Sequence, residues 1–126
     1  MSDFLVNVHS MLRWFVVVGL IGGGAYALLR APSDRRFEPR VFVAAAIIVD
    51  VEVTLGILLY LVNAGWGQGL FMAVIHPAMS IAGLGLVHAG LVRARRSDIP
   101  GDAYRTVGAA FLVGIIVIVL GVPWGR

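Results

Sequence analysis

The run VFVAAAIIVDVEVTLGILLYLV (residues 41–62) decides the fold. It lies between Arg40 and Asn63 and is apolar throughout except for Asp50, Glu52 and Thr54 near its middle. At a helical rise of 1.5 Å per residue it reaches about 33 Å, enough to cross a hydrocarbon core of about 30 Å. Three more apolar runs flank it, at approximately 5–29, 70–92 and 104–122. None alternates polar and apolar residues, and each is about twice the length of a barrel strand. Backbone amides in lipid must be satisfied within their own segment, so the four runs are expected to be helices. A chain of 126 residues is too short to divide. The expectation is an all-α bundle of four transmembrane helices forming one membrane domain over residues 1–126.

Composition agrees with this. Hydrophobic residues make up 60% of the chain and charged residues only 13%, about half the charged share of a soluble globular protein. The net charge of +3 does not indicate a nucleic-acid binder, because the basic residues sit between apolar runs rather than along a stripe with interleaved aromatics. All ten basic side chains are Arg, and there is no Cys. Disulfides, thiolate metal sites, iron–sulfur clusters and covalently attached c-type haem are therefore excluded. The start, Met1-Ser2-Asp3-Phe4, lacks the positive region of a signal peptide. The first apolar run is expected to be a permanent helix.

The connections differ sharply in charge. Residues 30–40 carry Arg30, Arg35, Arg36 and Arg40, and Arg93, Arg95, Arg96 and Arg105 surround the connection at 93–103. The segment from Asn63 to Gly69 carries no charge. The positive-inside rule puts the two Arg-rich connections in the cytoplasm, with both termini outside. Trp66 and Trp124 then fall in an outer aromatic belt. Glycines at 19, 22, 23 and 24 and at 83, 85 and 90 would let helices approach closely or make room for a flat cofactor.

Polar side chains within the spans are the functional candidates, since each costs free energy in lipid. They are His9 and Arg13 in the first helix, Asp50, Glu52 and Thr54 in the second, and His76 and His88 in the third. The fourth has nothing ionisable from Thr106 to Pro123 and is expected to be a lipid-facing wall or a docking face. His9 and His76 lie at similar depth near the outer surface, where one imidazole from each of two helices can ligate a haem iron axially. Arg13, one turn from His9, could meet a haem propionate. His88 is twelve residues from His76, roughly 18 Å along the helix. It could hold a second group only with a partner that the sequence does not identify, or serve as a hydrogen-bonding or proton-relay residue. Asp50 and Glu52 are about 200° apart around their helix, so they cannot both face one neighbour. Either could carry a proton or hydrogen-bond a histidine or a quinone carbonyl. Pro77 frees the carbonyl four residues earlier, and a kink is expected there. Plainer roles are open to each residue: solvation for His9, structural hydrogen bonds for His76 and His88, snorkelling for Arg13, and pairing with a partner subunit's Arg for Asp50 or Glu52.

Several strings carry a resemblance. His9-Ser10-Met11-Leu12-Arg13-Trp14, Thr54-Leu55-Gly56-Ile57-Leu58-Leu59-Tyr60, His76-Pro77, His88-Ala89-Gly90 and Gly121-Val122-Pro123-Trp124 occur in this order. Together they resemble the small bacterial four-helix membrane proteins of H-S-x-L-R-W type often labelled cytochrome b. The resemblance implies a non-covalent haem b in electron transfer. Many such proteins have a histidine and a glutamine where this chain has Asp50 and Glu52, a departure that leaves His9 and His76 as the haem pair. The leading expectation is a haem b protein relaying electrons near the outer face, with quinone or a larger redox complex as partner. It is more an electron carrier than an enzyme in its own right. The alternative is an accessory subunit of a respiratory or photosynthetic complex, or a homo-oligomer, and a proton pathway through His76, His88, Asp50 and Glu52 ranks third.

Overall fold

The computed structural model describes residues 2–33 and 35–124, with the side chain of Ser2 excluded. Four long helices follow one another: α1 (Ser2–Arg30), α2 (Arg40–Val62), α3 (His76–Arg96) and α4 (Pro100–Leu120). A 3₁₀ turn, Gly65–Gly67, and a π-helical turn, Phe71–Ile75, connect α2 to α3. All four spans, the third taken from Phe71 to Arg96, are long and apolar enough to cross a membrane. Large apolar side chains such as Val18, Leu29, Leu70 and Ile116 point outward, as a bundle in an apolar solvent permits. The start of α1, the end of α4 and the 63–69 connection lie at one end of the bundle, and the Arg-rich connections at the other.

The expected segments and the observed helices differ mainly at their ends. The apolar runs mark the lipid slab, whereas the helices run on until a local stop. Thus α3 continues through its arginines to Arg96, where Ser97 turns extended, and α4 begins at Pro100, which needs no amide partner in a first turn. The expected kink near Pro77 takes the form of the π turn just before His76. The carbonyl that Pro77 leaves without its helical donor belongs to Ala73, and the Tyr60 hydroxyl donates to it at 2.9 Å.

The fourth helix is a lipid-facing wall only in part, with Val113, Ile116 and Leu120 turned outward. It is the most buried of the four spans and packs between α1 and α3, while α2 touches α1 and, more sparingly, α3. Small residues put α4 there. A Cβ on Gly24 would come within 2.7 Å of Leu112, and one on Gly108 would come within 3.1 Å of the Gly24 carbonyl. On the other side Gly83 sits against Ile118 and the Gly114 carbonyl, and Gly90 against Ala110. Close backbone approach of this kind is how helices gain packing energy in lipid.

The Arg-rich end is closed by aromatics. Phe37 stacks on Phe42 at 5.6 Å, and the fully buried Tyr104 and Phe111 meet Phe42 edge-on. The Tyr104 hydroxyl donates to the Arg36 carbonyl at 3.0 Å and accepts the Glu38 amide at 3.2 Å. Arg30 lies over both Tyr26 and Tyr104.

Gly24→Val is expected to destabilise the bundle by about 1–3 kcal/mol, the usual cost of overpacking. Gly22→Val, where nothing lies within 4 Å, should leave the melting temperature in detergent nearly unchanged. Tyr104→Phe removes both hydrogen bonds to the first Arg-rich connection, and a loss of about 1–3 kcal/mol is expected in the same thermal assay.

Candidate functional site

The helix-2 acids diverge as their spacing requires. Glu52 turns toward α1, where its Oε1 lies 2.9 Å from His9 Nδ1. Asp50 turns toward α3, where its Oδ1 lies 2.6 Å from His88 Nε2. The two pairs have different surroundings. His9 and Glu52 are 23% and 11% exposed, whereas His88 and Asp50 are 45% and 43% exposed on the bundle surface. Thr54 donates its hydroxyl to the Asp50 carbonyl at 2.7 Å, a bond within its own helix, and adds no third member to that pair.

His88 therefore has the partner that the sequence did not identify. Matching depths would have suggested it. Asp50 is ten residues from the Arg40 end of α2 and His88 eight from the Arg96 end of α3, roughly 15 Å and 12 Å along their helices. What depth alone omits is rotation, which is set by how α2 and α3 pack.

The inner pair opens on a cavity of about 860 Å³ at the end of the bundle away from the Arg-rich connections. Its walls include His9, Arg13, Glu52, Gly56, His76 and Trp124, so four of the seven candidates come together here. Asp50, Thr54 and His88 do not. The volume is within the range of about 300–1,000 Å³ usual for cofactor sites. The rings of His9 and His76 are 6.5 Å apart between centres, with their planes at 85°. His76 donates from Nδ1 to the Gly121 carbonyl at 2.7 Å. A carbonyl can only accept, so Nδ1 carries the proton and Nε2 keeps its lone pair. Gly121 makes this possible, because a Cβ there would come within 2.5 Å of Met79 on α3. His9 is held at Nδ1 by a carboxylate instead. The contact is close but bent, and neither His9 Nδ1 nor Glu52 Oε1 has an aligned hydrogen bond.

The remaining wall is cationic. Arg13 lies 5.5 Å from the Trp14 ring centre and 5.2 Å from that of Trp124, and its buried Nε has no hydrogen-bond partner. Trp124 is fixed in turn by its indole N–H donating to the Val119 carbonyl at 3.0 Å. An anionic group entering the cavity would meet an oriented guanidinium. Gly56 keeps the other side open, since a Cβ there would press on His9 Cε1 at 3.1 Å. The Gly121 carbonyl, the Gly56 gap and the two indoles beside Arg13 escaped the sequence reading. Each depends on helices meeting across the bundle.

The donor set suits some groups and not others. Among the described residues no cluster of three or more His, Asp or Glu could enclose a bare metal ion. A macrocycle that brings its own nitrogens would ask only two imidazoles of the protein, and His9 and His76 would supply them. Each imidazole here has its Nδ1 against an acceptor, as histidine ligands of metals usually do. Comparison with protein-family models, curated proteins and solved structures gives no match to this chain.

Double-mutant cycles on melting in detergent should pair Glu52 with His9 and Asp50 with His88, each with a coupling of about 0.5–3 kcal/mol. The crossed pairs, Asp50 with His9 and Glu52 with His88, should be additive within about 0.5 kcal/mol.

Proposed function

We propose that this chain is a haem b-binding protein of a bacterial inner membrane that relays electrons near the outer face, with quinone or a larger redox complex as its partner. The observation that carries the reading is the pair of imidazoles from α1 and α3 on one cavity. Each has Nδ1 against an acceptor and Nε2 left to coordinate. His9 and His76 would hold the iron, and Arg13 would meet a propionate. Bound there, the group supplies one-electron chemistry. The protein places both imidazoles on one cavity and sets the Arg13 guanidinium beside two indoles. The resemblance of its motifs to proteins labelled cytochrome b points the same way. The positive-inside rule puts the Arg-rich connections in the cytoplasm, and the cavity on the outer side.

An accessory role in a larger complex has an observation of its own in its favour, though not the one expected. The apolar α4 is the most buried span, and its outward stripe of Val113, Ile116 and Leu120 suits lipid as well as protein. The half-exposed Asp50–His88 pair is another matter, because at mid-depth on the bundle surface it is a polar feature that lipid would cover poorly. A neighbouring subunit would cover it better. The two readings are compatible. A proton pathway is less well supported, since the two acid–histidine pairs lie on different faces of α2 and no hydrogen bond among the described residues joins them.

Protein produced with haem available is expected to show a Soret band and, on reduction, an α-band. His9→Ala and His76→Ala should each abolish the bis-imidazole spectrum, while His88→Ala keeps it. A native spectrum without haem would overturn the reading.

A further inference from the structure

Glu52 is the one charged side chain buried in the core among the described residues. It is twelve residues from the Arg40 end of α2 and ten from the Val62 end, which places it near the middle of the span. An isolated carboxylate at such depth is costly, and a buried charge persists where an opposite charge answers it. The groups that face it do not supply a permanent one. His9, 2.9 Å away, is a weak base whose contact with Oε1 is bent. Asp50 points away toward α3. Arg13 lines the same cavity, but its guanidinium lies beside the Trp14 and Trp124 rings and makes no ion pair with Glu52.

We propose that Glu52 is the fixed counter-charge of the oxidised iron in the His9/His76 site and holds that site at a low reduction potential. The inference rests on the haem reading above and adds to it the role of a residue that touches a ligand rather than the iron. Oxidised iron between two neutral imidazoles carries one more positive charge than reduced iron. A carboxylate against the far nitrogen of one imidazole therefore favours the oxidised form. The burial of Glu52 strengthens this, because a buried charge is screened less than a solvated one. Arg13 would act in the opposite sense but would be answered by a propionate. Glu52 is thus a tuning residue, and its charge against His9 Nδ1 sets how readily the site accepts an electron.

The test is a spectroscopic redox titration of the purified haem protein in detergent. Glu52→Gln keeps an acceptor against His9 but removes the charge. It should retain the Soret band and the low-spin bis-imidazole signature, and its midpoint should move to a more positive potential. At the potential where the native protein is half reduced, the ratio of reduced to oxidised variant should rise about tenfold. Asp50→Asn, which removes a charge on the other face of α2, should move the midpoint far less. Should Glu52→Gln fail to hold haem, Glu52→Asp keeps the charge but withdraws it from His9, and should move the midpoint part of the way in the same direction. A haem-loaded Glu52 variant with an unmoved midpoint overturns the proposal, as does a shift equalled by Asp50→Asn. Absence of haem from the native protein is a separate result, which removes the cofactor reading itself.

Discussion

Close backbone contact between α4 and its two neighbours sets the spacing of the whole bundle. In lipid there is little hydrophobic gain from pressing one apolar helix on another, so the helices associate where small residues let their backbones come near. Gly24 against Gly108 and Gly83 against Gly114 supply two such crossings on the two sides of α4. With α1 and α3 drawn to α4, the second helix is left to pack on α1 and only lightly on α3. At the Arg-rich end the space between helices is filled by Phe37, Phe42, Tyr104 and Phe111. At the other end no such cluster fills it, and the cavity lies there.

The polar side chains follow from that spacing. Because α2 stands between α1 and α3, its two acids, on opposite faces, each meet a different histidine. One pair is drawn inside and shares a cavity with His76 and Arg13, and the other stays half exposed. The backbone carbonyl on His76 Nδ1 fixes which ring nitrogen is left with a lone pair. His9 has instead a close carboxyl group without an aligned hydrogen bond, and this asymmetry separates the two histidines.

Much of this was legible in residue spacing. The divergence of Asp50 and Glu52 follows from the rotation per residue of a helix, and the exposed carbonyl before Pro77 follows from the missing amide. The nearness of His9 to His76 followed from matching depths on two spans that begin at the same end. The role of α4 was not legible. A helix without ionisable residues reads the same whether lipid or protein surrounds it, and only the fit of Gly108 and Gly114 against their neighbours tells the two apart. The pairing of His88 with Asp50 escaped for a related reason, since depth is readable along a chain and the facing of two helices is not.

By itself, then, the run from Val41 to Val62 and its three companions determined four crossings, because apolar length and the need to satisfy every backbone amide leave one solution. Charge in the connections and the depth of each polar residue belong to the same one-dimensional reading. The tertiary structure alone decided rotation and distance: that α4 is the most buried span, that Glu52 meets His9 while Asp50 meets His88, and that Gly121 turns His76. These depend on contacts of a few ångströms between residues far apart in the chain, and the periodicity of a single helix does not encode its neighbour.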